Sequence, residues 1–396
     1  MPGFEIFSDE ERKEVQDVLD TGVLFRYNFE ANRKNHWKAA SFEKELCQKL
    51  NVCHCHLCSS GTAALNIAMA SCGIGAGHEV IVPPFTFLAT IEAVLNAGAI
   101  PVFADIDETL CLDPADIERK ITNQTRAVLL VHMCGSMAHV NAIQQLCQTK
   151  NIVLIEDACQ SLGATYKGKA LGSFGSMGCF SFDYVKTITC GEGGAVITND
   201  SSLYTTAQAF ADHGHDHLGA DRGKDDHPVL GYNYRISELN AAVGLAQLRK
   251  LDQILEKQRK HKQIYISILK DCESVTFRET PDEKGDSATF LSILLPDETT
   301  TRNTLKQFSD NNVGGAIYWY DNNWHYFRQW EHLKKLNWPS PLAVSVLKQS
   351  FNYKNLSLPV SDTIMSRTLS FQIKLSDSED QVSTHANQMK QVLKQI

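Results

Sequence analysis

Short apolar runs alternate with amphipathic stretches between about residues 60 and 200 of the chain. The runs contain many β-branched and aromatic side chains, which is typical of strands buried on both faces of a sheet. They predict strands at residues 79–82, 101–104, 127–132, 152–155, 178–182 and 194–197. The stretches between them predict helices, among them residues 63–71, 87–97 and 141–150. This alternation predicts β-α-β units around a mainly parallel sheet.

A helical pattern begins after Ser237 and suggests where the chain divides. Apolar residues recur at helical spacing through Leu245, Leu248 and Leu251, and a Lys-rich continuation reaches about residue 268. A helix of that length can bridge two domains, so we predict a large domain at 1–250 and a small one at 251–396. Apolar runs at 288–295 and 315–320 and a closing helix at 377–395 predict an α+β fold for the small domain.

Composition narrows the class of protein. Of the 396 residues, 43% are hydrophobic and 21% are charged, which is typical of a soluble globular protein with two cores. No apolar run reaches the roughly 18 residues of a membrane span, and the acidic start lacks a signal-peptide pattern. The twelve cysteines have no scaffold-like spacing, so we expect reduced thiols in a cytoplasm. The net charge of −8 argues against nucleic acid or an anionic membrane as partner and favours a small metabolite.

A carboxylate pair and a lysine carry the strongest chemical signal. Glu156 and Asp157 close a predicted strand, and Lys186 follows shortly before a glycine-rich turn. A carboxylate at that end of a parallel strand can keep a bound pyridine nitrogen protonated, which makes the ring an electron sink. A lysine between apolar and aromatic neighbours can lose its proton and form a Schiff base. Taken alone, Lys186 would more often be a surface lysine, but the surrounding pattern favours the cofactor role.

Two further segments fit a flat, phosphorylated cofactor. Residues 59–64 stand just before a helix, where backbone N–H groups and the Thr62 hydroxyl can bind a phosphate. Simple capping of the helix by Ser60 is equally compatible with this segment. Phe87 follows the end of a predicted strand, where its ring could either cover the cofactor or pack in the core.

Four segments occur in the order found in a known family. SGTAAL (60–65), FTFLAT (85–90), EDACQS (156–161) and FSFDYVKTITCGEGG (180–194) resemble the sugar aminotransferases of the DegT/DnrJ/EryC1/StrS family, and the similarity covers nearly the whole chain. The resemblance implies a type I pyridoxal-phosphate fold, with a mainly parallel seven-stranded sheet in a large cofactor-binding domain and a smaller α+β C-terminal domain. It also implies pyridoxal 5'-phosphate as cofactor and a homodimer with shared active sites.

The resemblance assigns roles residue by residue. Lys186 would carry the cofactor, Asp157 would pair with the pyridine nitrogen, and Gln160 would lie beside the ring and its hydroxyl. The remaining predicted cofactor contacts are Gly61, Thr62, Ala63 and Ser181 at the phosphate, Phe87 on the ring, and Asn233 or Arg235 from the other subunit. One branch of the family has histidine at the lysine position and dehydrates its substrate. Lys186 therefore implies transamination, from L-glutamate to an oxo-sugar.

A narrower resemblance suggests the sugar. Residues 25–28, 132–137, 212–217 and 318–326 are similar to the 8-amino-3,8-dideoxy-α-D-manno-octulosonate transaminases, which aminate an 8-oxo acid sugar destined for lipopolysaccharide. A free acid sugar needs Arg or His donors and an aromatic wall. We therefore hypothesise that Arg26, His215 and Arg222 include contacts to the carboxylate and that Tyr318 lines the sugar site. Charged surface loops are an equally weighted alternative.

Other interpretations of the sequence stay open. The Cys and His residues of 53–58 include zinc ligand types, but alternate residues of a strand face opposite ways, so we predict no metal site. A nicotinamide-dependent sugar oxidoreductase would need a G-x-G-x-x-G after a strand, which 73–77 does not supply. A non-catalytic regulatory homologue and an aminotransferase for nucleotide-linked 3- or 4-keto-hexoses complete the alternatives.

Overall fold

A seven-stranded sheet forms the centre of the larger part of the molecule. The structure is a computed structural model that describes residues 3–219, 221–347 and 352–396. Its strands in this part are β1 (His54–Cys58), β2 (Glu79–Val82), β3 (Ile100–Phe103), β4 (Thr125–Val131), β5 (Val153–Asp157), the hairpin β6 (Thr165–Tyr166) and β7 (Lys169–Ala170), β8 (Met177–Ser181) and β9 (Gly194–Thr198).

The strand order explains where a site can form. The sheet runs β1-β9-β8-β5-β4-β2-β3, and β9 is antiparallel to both its neighbours while the other pairs are parallel. Consequently β1, β2, β4, β5 and β8 all end at one edge, and β9 begins there, with Gly194 opposite both Cys58 and Ser181. In α/β proteins the loops at this edge are the usual place for ligands.

Helices cover both faces of the sheet and continue into the C-terminal part. They are α1 (Asp9–Leu19), α2 (Lys38–Leu50), α3 (Gly61–Ser71), α4 (Ala89–Asn96), α5 (Pro114–Lys120), α6 (Val140–Lys150), α7 (Ser201–Ala211), α8 (Glu238–Arg249), α9 (Leu251–Leu269), α10 (Glu298–Asp310), α11 (Glu331–Lys334), α12 (Ala343–Val346), α13 (Pro359–Ser366) and α14 (Glu379–Leu393). Apolar side chains such as Ile67 and Leu129 pack in one core, and Leu57 and Phe180 pack in another. Burial on both faces explains why the strands are apolar throughout.

A four-stranded antiparallel sheet organises the C-terminal part. Its order is β10 (Thr276–Phe277), β11 (Phe290–Leu294), β13 (Thr368–Gln372) and β12 (Ala316–Ile317). The helices α9, α10 and α14 supply Leu269, Phe308 and Met389 to a third core against this sheet. The predicted α/β architecture, with a mainly parallel sheet and a smaller α+β part, is confirmed.

Some predicted elements differ in extent. The run at 315–320 forms only the two residues of β12, and Trp319–Asp321 turn into a 3-10 helix. The predicted bridging helix is two helices, α8 and α9, that meet at Lys250. The boundary near residue 250 stays a prediction. Among the described residues, no helix combines the length and apolarity needed to cross a bilayer, and no three potential ligands gather as a metal site would require.

Candidate active site

A cavity of about 370 Å³ opens at the edge where the parallel strands end. Ligand pockets in proteins commonly begin near this size. The predicted site residues that line it are Gly61, Thr62, Phe87, Asp157, Gln160, Ser181 and Lys186. The topology brings them together because each lies on, or just after, a strand that ends at this edge.

Lys186 projects from the loop between β8 and β9. Phe182 and Gly193 join the two sides of this loop through a hydrogen bond from the Phe182 N–H to the Gly193 carbonyl at 2.8 Å. The Lys186 side chain is 12% exposed, and its Nζ lies 3.6 Å from Asp183 Oδ2. From the N-terminal segment, the Gly3 N–H donates to the Lys186 carbonyl at 3.0 Å. The lysine is thus held in a partly desolvated position facing the cavity.

Asp157 ends β5 and is fixed by two donors. The Thr90 hydroxyl donates to Oδ2 at 2.8 Å, and the Cys159 N–H donates to Oδ1 at 3.2 Å. Thr86 lies 2.7 Å from Thr90, oxygen to oxygen, and extends the chain of hydroxyls. An ionised carboxylate can only accept hydrogen bonds, so this donor set suits the charged form. Sequence reasoning missed the Thr86 and Thr90 roles, although both lie in the FTFLAT segment.

The neighbouring Glu156 has a structural role. Alternation along β5 turns its side chain away from Asp157, and it is fully buried. Its carboxylate accepts from the backbone N–H groups of Gly172, Phe174 and Gly175 and lies 2.9 Å from His132 Nε2. This glutamate therefore anchors the 172–175 turn and does not face the cavity.

The N-terminus of α3 forms an anion cradle. Ser60 Oγ caps the helix by accepting from the Ala63 N–H at 3.0 Å, which places Ala63 behind the cavity wall. The first N–H groups of a helix have no partner within it, and Gly61 and Thr62 present theirs at this edge. A Cβ at Gly61 would lie 2.7 Å from the Ser181 Cβ, so only glycine allows this close approach.

A histidine packs against Phe87, a partly exposed residue of the cavity wall. Phe87 is 43% exposed, and its ring centroid lies 5.5 Å from that of His325 and 6.5 Å from that of Trp324. Burial, and secondarily the positive charge of Lys186, lowers the pKa of His325 to about 4, so the ring is neutral at pH 7. His325 was not predicted as a site residue, although it lies within the 318–326 segment.

Several predicted residues lie outside this cavity, around Asp212. Asp212 is fully buried and pairs with both Arg222 and Arg235, while His217 Nε2 lies 3.4 Å from it. Burial raises the pKa of the Asp212 carboxyl, but the hydrogen bonds from the two arginines outweigh burial and lower it to about 2. Asn233 pairs with Asp212 through the backbone. We call Asp212, His217, Arg222 and Arg235 the Asp212 cluster.

The other predicted substrate residues are engaged elsewhere. Arg26 is 7% exposed and donates to the Leu57 carbonyl at 2.7 Å and to Glu43 at 2.6 Å. His215 Nδ1 lies 3.1 Å from Asp225, and the Tyr318 hydroxyl donates to the Ser366 carbonyl at 2.8 Å. These positions do not line the cavity, so the substrate roles of Arg26, His215, Arg222 and Tyr318 stay predictions.

The residues present in the cavity fit pyridoxal phosphate. A helix N-terminus and the close Gly61–Ser181 approach suit its phosphate, and the Asp157 carboxylate suits its pyridinium nitrogen. Lys186 lines the same cavity and would supply the primary amine that holds the cofactor.

Comparisons with known proteins agree with this geometry. A family model, the DegT/DnrJ/EryC1/StrS aminotransferase family, matches residues 6–390. GDP-perosamine synthase of Vibrio cholerae is 34% identical over 88% of this chain and 90% of its own. The Helicobacter pylori aminotransferase PseC, involved in the biosynthesis of pseudoaminic acid, superposes with a TM-score of 0.81 at 25% identity, covering 99% and 98% of the two chains.

A second solved structure bears on the cofactor. NtdA of Bacillus subtilis, solved with bound cofactor PMP, superposes with a TM-score of 0.79 at 25% identity over 99% of this chain and 84% of its own. PMP is the amino form of pyridoxal phosphate, which confirms the predicted cofactor class for this fold. The match to an aminotransferase family sets aside the oxidoreductase alternative. The chain therefore belongs to the DegT/DnrJ/EryC1/StrS aminotransferase family and is a pyridoxal-phosphate-dependent transaminase.

Proposed function

We propose that this enzyme moves the amino group of L-glutamate to the oxo group of a sugar, using a cofactor attached to Lys186. The observation that carries the proposal is the convergence of Lys186, Asp157 and Gln160 on one cavity of suitable volume. When bound, pyridoxal phosphate supplies the electron sink and the temporary amino carrier. The names of the relatives support a sugar as the amino acceptor.

The protein's own groups would divide the work. Asp157, whose carboxylate accepts from the Thr90 hydroxyl and the Cys159 N–H, would pair with the ring nitrogen and favour its protonated form. Gly61, Thr62 and Ser181 would bind the phosphate at the start of α3, and Phe87 would cover the ring. Ala63 is left out of this proposal because its N–H donates to Ser60 Oγ. Lys186 Nζ would hold the cofactor and, when free, would take up and return the proton of the substrate carbon.

We also propose a homodimer in which each subunit completes the other's site. Asn233 and Arg235 do not line the cavity of their own protomer and lie instead at the Asp212 cluster. Their absence from the cavity wall of their own protomer supports a contact with the phosphate of the partner's site. Cross-linking of the holoenzyme tests for the dimer. Mixed dimers of Lys186→Ala and Arg235→Ala subunits test whether the two subunits share each active site. Partial activity in the mixture of two inactive parents supports sharing, and complete inactivity contradicts it.

For the acceptor we propose 3,8-dideoxy-8-oxo-α-D-manno-octulosonate, whose product is the 8-amino sugar for lipopolysaccharide. Segments 212–217 and 318–326 support this choice through their sequence resemblance. Trp324 and His325 of the second segment also lie against Phe87, a residue of the cavity wall. A neutral His325 can donate to or accept from a sugar hydroxyl.

A second candidate acceptor is a nucleotide-linked 3- or 4-keto-hexose. The 34% identity to GDP-perosamine synthase over most of both chains favours it. Incubating the purified holoenzyme with L-glutamate and each oxo-sugar, and following 2-oxoglutarate, separates the two. Turnover of the free acid sugar alone supports our choice, whereas turnover of only the nucleotide-linked sugar rejects it.

A further inference from the structure

The turn after β4 connects the cavity with the C-terminal part of the molecule. This turn, Met133–Gly135, has two successive residues in the left-handed region, Cys134 at φ 57° and Gly135 at φ 76°. The Cys134 N–H donates to Gln160 Oε1 at 3.0 Å. A backbone N–H can only donate, so it engages the oxygen of the amide. The Gln160 NH₂ group is then the end left for the cavity.

Arg278 holds the same turn from the other side. It is 8% exposed, and its Nη1 donates to the Met133 carbonyl at 2.7 Å while its Nε donates to the Thr109 carbonyl at 2.6 Å. The third contact, from Nη2 to Cys111 Sγ at 3.3 Å, completes the planar fork. All three partners precede residue 250, whereas Arg278 follows β10. The guanidinium therefore joins two parts of the fold.

The turn is pressed against the C-terminal sheet at a second point. The Ser287 hydroxyl donates to the Gly135 carbonyl at 2.7 Å. A Cβ at Gly135 would lie 2.0 Å from Thr289 Oγ1, so this contact needs glycine. A non-glycine residue such as Cys134 keeps a left-handed conformation only where its surroundings impose it. Arg278 and Ser287 supply those surroundings.

One peptide group links Arg278 to Gln160. The Met133 carbonyl that accepts from Arg278 and the Cys134 N–H that donates to Gln160 belong to the same peptide unit. A cation on the carbonyl polarises the unit and strengthens the hydrogen bond made by its N–H. Since the peptide is planar, the guanidinium also fixes the direction in which that N–H points.

We propose that Arg278 is a positioning residue of the active site, which acts through the Met133–Cys134 peptide to aim the Gln160 NH₂ group at the ring oxygen of the cofactor. The inference rests on the proposed placement of Gln160 beside that oxygen. A hydrogen bond donated to the oxygen stabilises its ionised form. Loss of the aimed donor therefore raises the pH at which the visible absorption of the bound cofactor changes.

The test compares Arg278→Met with Arg119→Met in the holoenzyme. Arg119 lies on α5, and within the described residues its side chain bonds to Asp116 alone, with Nε donating to Oδ1 at 3.0 Å. We expect Arg278→Met to raise the midpoint of the absorption titration by about one pH unit. We also expect kcat to fall about tenfold, with the KM for glutamate unchanged. Arg119→Met should leave both at wild-type values.

A second pair of variants separates positioning from general damage. In a Gln160→Ala background, Arg278→Met should no longer move the midpoint, because the group it aims is gone. Arg278→Lys, which keeps the charge and one donor, should move the midpoint by less than Arg278→Met and remains usable if the methionine variant does not fold. An unmoved midpoint in the folded Arg278→Lys and Arg278→Met proteins, or an equal shift without Gln160, overturns the proposal. A colourless wild-type protein would instead reject the proposed placement of the cofactor.

Discussion

The cofactor cavity and the Asp212 cluster are both rich in charged residues, but they use them differently. In the cavity, Lys186 and Asp157 face open space, and Asp157 is supported from behind by uncharged donors. In the Asp212 cluster, Arg222 and Arg235 form ion pairs with the buried Asp212 carboxylate of the same chain. The first arrangement leaves charge free for a ligand, and the second leaves much less.

This difference suggests that the cavity residues carry out the reaction and that the residues of the Asp212 cluster serve stability and binding. The cavity already contains the lysine, the carboxylate and the phosphate cradle that transamination needs. In the Asp212 cluster, Asp212 already pairs with both arginines, so an anion that binds there has to share them with this carboxylate. We therefore expect substitutions in the cavity to affect the reaction itself and substitutions in the cluster to affect stability and partner-dependent binding.

The largest effect is expected at Lys186. Lys186→Ala should lower transamination on the order of 10⁴-fold, because it removes both the attachment point and the proton carrier. Steady-state assays with glutamate measure this loss. Lys150→Ala, at an exposed lysine paired with Glu118 at 3.1 Å, is the matched control and should retain full activity. Comparable losses in both variants would refute the assignment.

Next in size is the contrast between the two adjacent carboxylates. Asp157→Asn should reduce kcat on the order of 10²-fold with little change in stability, because the ring nitrogen loses its anionic partner. Glu156→Gln should do the reverse and lower the free energy of unfolding by about 1–3 kcal/mol, since three backbone N–H groups lose a charged acceptor. Urea unfolding and kcat are measured on both variants. A loss of kcat in Glu156→Gln together with a loss of stability in Asp157→Asn would contradict the roles assigned to the two carboxylates.

The Asp212 cluster should show its effect as pH-dependent stability. The pKa of Asp212 lies at about 2 in the folded protein against an ordinary value of 3.8. A lowered carboxyl pKa adds stability above pH 3.8, and that stability is lost as the pH falls towards 2. Asp212→Asn should therefore cost about 2 kcal/mol at pH 7, and the difference from wild type should shrink towards pH 2.

Urea unfolding at pH 7 and pH 3 checks this prediction. Asp226→Asn, at an exposed residue of the same loop, serves as control and should change little. A cost for Asp212→Asn that is equal at both pH values would show that the carboxylate is not the source of the stability.

At pH 7 the smallest effect concerns His325, because its ring is then mostly neutral in the folded and the unfolded chain alike. Its pKa is about 4 in the folded protein and near 6.5 when unfolded, so the unfolded chain binds the proton first as the pH falls. Stability of about 3 kcal/mol should be lost between pH 6.5 and 4. His325→Gln should abolish this component, whereas His332→Gln, at an exposed histidine, should retain it. The slope of unfolding free energy against pH distinguishes the two.

The sequence predicted the sheet and the cavity well because both follow from local patterns. Apolar runs mark strands that are buried on both faces, and residues just after parallel strands meet at one edge. Asp157 and Lys186 could therefore be linked from the sequence pattern, and the family resemblance placed Gln160 beside them. The apolar run at 315–320 contains only a two-residue strand, because Trp319 and Tyr320 pack in the core from a 3-10 helix.

Other contacts were beyond sequence reasoning because they depend on tertiary packing. Thr90 reaches Asp157 from 67 positions away, and Arg278 reaches Met133 from 145 positions away. No local pattern encodes such pairs. Arg26 was predicted as a substrate donor from its residue type, but packing buries it against Glu43 and the Leu57 carbonyl. Long polar side chains are therefore the residues whose roles the sequence predicts least well.

The most direct test of the central claim is to locate the cofactor on the chain. The holoenzyme is treated with sodium borohydride, digested with a protease, and its peptides are sequenced by mass spectrometry. We predict that the visible absorption band disappears and that a pyridoxyl group is found on the peptide containing Lys186, at that lysine alone. A label on a different lysine, or no label on any peptide of a coloured protein, would contradict it.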